Sequence, residues 1–124
     1  MPGKAFILTH WPKVREDLLW VVNCFTDDDL DFVPFYQGWT VRQVMLHISD
    51  AVNYWLHSGV LGPEKLPESP GDILNEKMNL AAVKDFMAAE FDRSMRLLAG
   101  FDPLEWDQAT YQYPDGYYYR PSWV

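Results

Sequence analysis

Three stretches of this chain carry large apolar residues at intervals of three and four, and such a stretch is stable as a helix only with one side against a core. In the first, Trp11, Val14, Leu18, Val21, Val22 and Phe25 share an arc about 100° wide when each residue advances about 100°. Pro12 suits the opening turn of that helix, where a missing N–H is harmless, Thr9 is placed to cap it, and the polar turn from Asp27 to Asp31 ends it. The second is announced by Thr40-Val41-Arg42-Gln43, a Ser/Thr-x-x-Glu/Gln capping box. It is predicted over about residues 41–58, with Val41, Val44, Ile48, Ala51, Val52 and Trp55 as its apolar face. The third runs over about residues 80–99, capped by Asn79, with Gly100 placed for a left-handed C-terminal residue. Its polar face carries Asp85, Asp92 and Arg96, the last two at the i,i+4 spacing of an exposed ion pair.

Between Gly59 and Asp72 stand three glycines and three prolines, too many breakers for a regular element. A connection that long can join helices pointing the same way. From Asp102 to Pro121 the pattern is irregular, and Ser122-Trp123-Val124 reads as the cap and first turn of a fourth helix. Three amphipathic helices with one long connection argue for a bundle, an architecture that most often closes with four. At 124 residues the chain has room for one core, so a single domain over residues 1–124 is expected, incomplete at its C-terminal end.

Charge narrows the function classes. A net charge of −8 repels phosphate backbones and anionic lipid heads, which argues against nucleic acid and membrane partners. The lone Cys24 cannot form an internal disulfide, and the chain opens on no secretory-type leader, so a reducing, cytoplasmic setting is expected. Six Trp, seven Tyr and seven Phe need a core, a pocket or a partner surface to cover them.

Few residues carry chemistry. His47 lies mid-helix at the edge of the expected apolar face, where its imidazole is either a ligand for a Zn, Ni, Fe or Cu ion or a hydrogen-bonded histidine at the core margin. Asp50 and Tyr54 share its flank, as a carboxylate able to orient a ring or water and a phenol able to bond a ligand, or simply as solvated border residues. Glu90 falls among Val83, Met87, Ser94 and Leu97 in the apolar arc of the third helix. It must there find a cation, a metal or a strong donor, or else reach water at the rim. His10 and His57 stand near helix ends in no evident pairing, and Cys24, without a Cys-x-x-Cys partner, is expected as a small buried hydrophobe rather than a nucleophile. Trp20 and Leu46 are expected to face away from their helices' apolar arcs, a pattern that points to a subunit interface, and Tyr117-Tyr118-Tyr119 either lines a pocket or contact or simply packs a loop, the commoner case.

Gly38-Trp39-Thr40-Val41-Arg42-Gln43-Val44-Met45-Leu46-His47-Ile48-Ser49-Asp50 resembles the phrase that opens the second helix of the DinB/YfiT-like superfamily, a group read as metalloenzymes. The turn Thr26-Asp27-Asp28-Asp29-Leu30 and the stretch from Pro114-Asp115-Gly116 to Val124 are similar to that family's connecting segments. The resemblance implies an all-α, up-down-down-up four-helix bundle, here with three helices and the start of a fourth. It also implies a homodimer, a divalent metal (Zn, Ni or Fe) held by three histidines, and thiol S-transferase or hydrolase activity on a small molecule such as a low-molecular-weight thiol. His47 matches the first of the three ligands. The other two belong to an H-x-x-x-H on the fourth helix, a motif this sequence does not contain. One histidine does not hold a catalytic ion, which needs three protein ligands and an open position. The alternative expectation is a non-enzymatic helical interaction module that has lost the metal and uses its aromatic surface.

Overall fold

A computed structural model describes residues 3–55 and 73–102. Among them are three α-helices and no strand: α1 (Lys4–Val22), α2 (Val41–Asn53) and α3 (Leu80–Gly100), with single 3-10 turns at Asp27–Asp29 and Ile73–Asn75. The expected segments around His57, Tyr117-Tyr118-Tyr119 and Ser122-Trp123-Val124 lie outside the described residues.

α3 packs against both other helices. It runs antiparallel to α1, because Lys4 Nζ, at the start of α1, donates to the carbonyls of Ala99 and Phe101. Trp11 and Arg15 meet Ser94 and Asp92 midway, and Lys84 Nζ donates to Asn23 Oδ1 at the other end. α2 runs parallel to α3. Arg42 near its start bonds Met78 just before α3, while Val52 near its end packs with Leu98 and Phe101. The up-down-down order of the three helices therefore stands.

Caps explain where the helices begin. At α2 the N–H of Val41 donates to the carbonyl of Phe32 and that of Arg42 to the carbonyl of Leu30. Thr40 Oγ1 accepts from the N–H of Gln43, whose Oε1 accepts in return from Thr40 N–H at 2.9 Å. The donors that a helix leaves open in its first turn are thus all used. The preceding loop is shaped for this by a tight turn from Phe35 to Gly38, with Gln37 left-handed at φ 57°. A Cβ on Gly38 would stand 3.0 Å from the Phe35 carbonyl oxygen. At α3, Asn79 Oδ1 accepts from Ala82 N–H, and Asp27 Oδ1 reaches across from the 3-10 turn to accept from Leu80 N–H at 2.7 Å.

Four expectations are corrected. α1 starts seven residues before Trp11, and Pro12 sits inside it. The Thr9 hydroxyl caps nothing, since it returns within the helix to the Ala5 carbonyl at 2.8 Å, a common use of threonine there. Gly100 is the last residue of α3, and the chain leaves the helix through an extended Phe101 (φ −69°, ψ 134°) without a left-handed residue. Asp92 finds its partner on α1, Arg15 at 3.0 Å, rather than in Arg96.

The largest correction is the roll of α2. Val41, Met45, Leu46 and Ser49 turn into the bundle, with Leu46 wholly buried at 0% exposure, whereas Val44 and Ile48 are 40% and 36% exposed. Leu46, expected on an outward face, is a core residue. The sequence offers two arcs, that of Val41, Val44, Ile48 and Val52, which periodicity favours, and that of Met45 and Leu46, where Leu46 falls among polar residues. Arg42 selects between them, for its Nε must reach the Met78 carbonyl at 2.6 Å and its Nη1 Asp31 Oδ1 at 2.6 Å. Trp20 faces outward, 70% exposed, as expected.

Among the described residues the core has two apolar clusters. Val22, Leu30, Met45, Leu46, Val83 and Met87 belong to one, at the end where α2 and α3 begin. Leu98 and Phe101 form the other, with Ile7, Leu8, Trp11, Val52 and Leu97 packed against them. Replacing Leu46 with alanine is expected to lower the unfolding free energy by about 2–5 kcal/mol, a core cavity. Ile48→Ala is expected to change it by about 0.5 kcal/mol or less, a surface truncation. Urea denaturation of the two variants checks the roll, and the reverse ranking would refute it.

Candidate functional site

Two places among the described residues combine chemistry with geometry. The first is the outward side of α2. His47 is exposed there, between Val44 and Ile48, and its ring stands against the indole of Trp39 with centroids 4.6 Å apart and planes 60° to each other. Trp39 comes from the loop that caps α2, so the residues that start the helix also place a wall beside the imidazole. The surface around it is apolar, with Phe35, Tyr36 and Trp55 also exposed along the loop and the helix. His47, expected at the edge of an inward-facing apolar arc, is exposed. It stands on an apolar strip, but one turned away from α3.

Asp50 is half-buried on the flank of α2 that leads from this strip towards α3, and Tyr54 is exposed, edge-on to Trp55 at 5.6 Å. Neither touches His47 by any hydrogen bond. His10 is exposed on α1, its Nδ1 2.8 Å from the Phe6 carbonyl and its ring stacked on Phe6. Cys24 is exposed rather than buried as expected, with Sγ 3.6 Å from the Trp20 carbonyl. These residues are not brought together.

The second place is a polar layer between the two apolar clusters. Glu90 is 5% exposed and its Oε1 accepts from Arg93 Nη2 at 2.9 Å, so the cation that its position demanded is one turn along its own helix. Among the described residues its Oε2 is buried without a hydrogen-bond partner, and so is Ser49 Oγ on α2. Burial pushes the Glu90 carboxyl above the usual range, the Arg93 charge opposes this, and the Asp50 carboxylate on α2 adds to it. Ser94 in the same layer is fully satisfied: its hydroxyl accepts from Trp11 Nε1 at 2.8 Å and donates to the Phe91 carbonyl at 2.7 Å, while the Trp11 ring stacks on Phe91. Ser49 drew no notice in the sequence. The signal was available, since a serine one helical turn beyond Met45 and Leu46 is polar on a buried arc.

Whether these groups fit a metal is a matter of donor number. Among the described residues no three His, Cys, Asp or Glu side chains come together as a metal-binding group. His47 offers one imidazole, with Gln43 and Asp50 a helical turn to either side of it and the Trp39 indole against its ring. These residues do not by themselves fit a divalent ion.

The comparisons with known proteins bear on the fold and on the second helix. A model of the DinB superfamily matches residues 10–124. The chain belongs to the DinB superfamily. No curated protein and no solved structure matched it. In this DinB chain the phrase Trp39-Thr40-Val41-Arg42 has a structural explanation independent of any chemistry: an aromatic wall, a cap, a core residue and a staple. No helix among the described residues is long and apolar enough to cross a membrane.

The Arg42 staple is titratable through Asp31. A hydrogen bond from Arg42, then its charge, hold the Asp31 carboxyl below the usual carboxylate range, with Lys77 assisting. A lowered folded value means that the stabilisation is complete above the ordinary aspartate range, about 3.9, and is lost as pH falls towards the lowered value. Asp31→Asn is therefore expected to flatten the acid limb of a stability-against-pH curve and to leave its neutral region parallel to that of the unaltered protein. Thermal unfolding across that range checks it.

Proposed function

We propose that this DinB chain is part of a metal-dependent enzyme of thiol S-transferase or hydrolase type, to which His47 contributes one ligand for a divalent ion such as Zn, Ni or Fe. The observation that carries the reading is the pairing of superfamily membership with an exposed imidazole set in an apolar strip and backed by Trp39. A neutral ring nitrogen in apolar surroundings is a good donor for such ions. The further donors that a centre needs are not among the described residues. Within this reading the substrate is a small molecule, a low-molecular-weight thiol by family resemblance, the protein acts as a homodimer, and the setting is cytoplasmic.

A second reading is favoured by the exposure of Phe35, Tyr36, Trp39 and Trp55 beside Ile48. That much aromatic surface on one side of a bundle suits a non-enzymatic interaction module without a metal.

Metal uptake separates the two. The whole protein, loaded in turn with Zn(II), Ni(II) and Fe(II) and dialysed, is expected to retain about one ion per chain, and His47→Ala to retain at least tenfold less under the same conditions. Equal retention by both proteins would remove His47 from the centre, and no retention by either would leave the interaction module as the reading.

A further inference from the structure

Glu90 and Ser49 take no part in the function proposed above, yet they occupy the costliest position in the core. Their layer separates the cluster around Leu46 and Met87 from the cluster around Leu98 and Phe101. Three of its polar side chains, Ser49, Glu90 and Ser94, are more than nine-tenths buried. Ser94 has both its bonds, whereas Ser49 Oγ and Glu90 Oε2 have none among the described residues. They are on helices that pack side by side and in parallel, and Asp50, the neighbour of Ser49, is close enough for its charge to act on Glu90. A charged carboxylate oxygen buried without a donor is far more unfavourable than a neutral carboxyl in the same place.

We propose that Glu90 is a proton-operated latch between α2 and α3. With the proton on Oε2 the carboxyl is neutral, Oε1 still accepts from Arg93, and the seam packs closed. When the proton leaves to solvent, an uncompensated oxygen charge remains inside the seam and α2 loosens from α3. The charged groups around Glu90 among the described residues define the balance. On α3, Arg93 at 2.9 Å favours the charged form. On α2, Asp50 disfavours it. On α1, Arg15 stands at the same level but is engaged with Asp92 at 3.0 Å. Burial is the largest influence and acts with Asp50. Because the folded protein holds this proton more tightly than the unfolded chain, the latch is fully effective below the ordinary glutamate range, about 4.3, and is released as pH rises through the higher folded value.

Amide hydrogen exchange of the full chain, corrected for intrinsic rates and followed upward from the ordinary glutamate range, reads the latch directly. Protection of the core amides of α2 and α3 is expected to fall by up to about tenfold per pH unit, the effect of one proton. Glu90→Gln, which keeps a neutral group of the same shape, is expected to abolish that fall. The infrared carbonyl band of a neutral carboxylic acid is expected to persist above the ordinary range in the unaltered protein and to vanish as protection falls. Protection independent of pH, or an equal fall in Glu90→Gln, would overturn the proposal. Should the variant fail to fold, the infrared band of the unaltered protein decides alone: its presence supports the latch and its absence refutes it.

Discussion

The guanidinium of Arg42 bonds in two directions from the first turn of α2, to the carbonyl of Met78 before α3 and to Asp31 in the loop after α1. A helix advances about 100° per residue, so fixing the direction of one side chain near its start fixes all the others. With Arg42 turned inward, Met45, Leu46 and Ser49 follow into the bundle, and Val44, His47 and Ile48 are carried to the outside. Arg42 is itself 9% exposed, and a buried guanidinium tolerates only positions where its donors are met. The same bond ties the start of α2 to the start of α3 and so sets the parallel order of the two helices. Core, exposed strip and polar layer all inherit their places from that geometry.

Much of this was legible in the residues. The capping box at Thr40 and Gln43 and the Asn79 cap announced the starts of α2 and α3, because a cap is a local interaction written within four positions. The start of α1 was not, since Pro12 suits a first turn and costs about 3 kcal/mol inside a helix, yet α1 runs through it from Lys4. The roll of α2 was not legible either. Periodicity favours the arc of Val44 and Ile48, and the contact that overrides it spans 36 residues from Arg42 to Met78. Asp92 likewise chose a partner 77 positions away over one four positions away.

The site was legible in part. Glu90 stood out as a carboxylate on an apolar arc, and the structure places it in the core with Arg93 as its cation. Ser49 beside it passed unnoticed because a single serine is a weak signal until the facing helix is known. His47 was recognised through its family phrase, yet its partner Trp39 and its outward direction depend on the loop and on the roll. The two polar features of α2 therefore lie on opposite sides of one helix: the imidazole belongs to a surface, and the serine to the seam with Glu90. Carboxylates are almost never fully buried unless paired, so a buried one among the described residues of a chain with a net charge of −8 is more informative than its exposed acidic companions.

The direction in which α2 presents its residues is tested most directly by nuclear Overhauser contacts from its side chains. The account predicts contacts from the Leu46 methyl groups to core residues such as Val83 and Met87, and from the His47 ring to the Trp39 indole, with the Ile48 methyl groups silent towards α3. Contacts from Ile48 to Val83 or Met87, with Leu46 showing none, would contradict it.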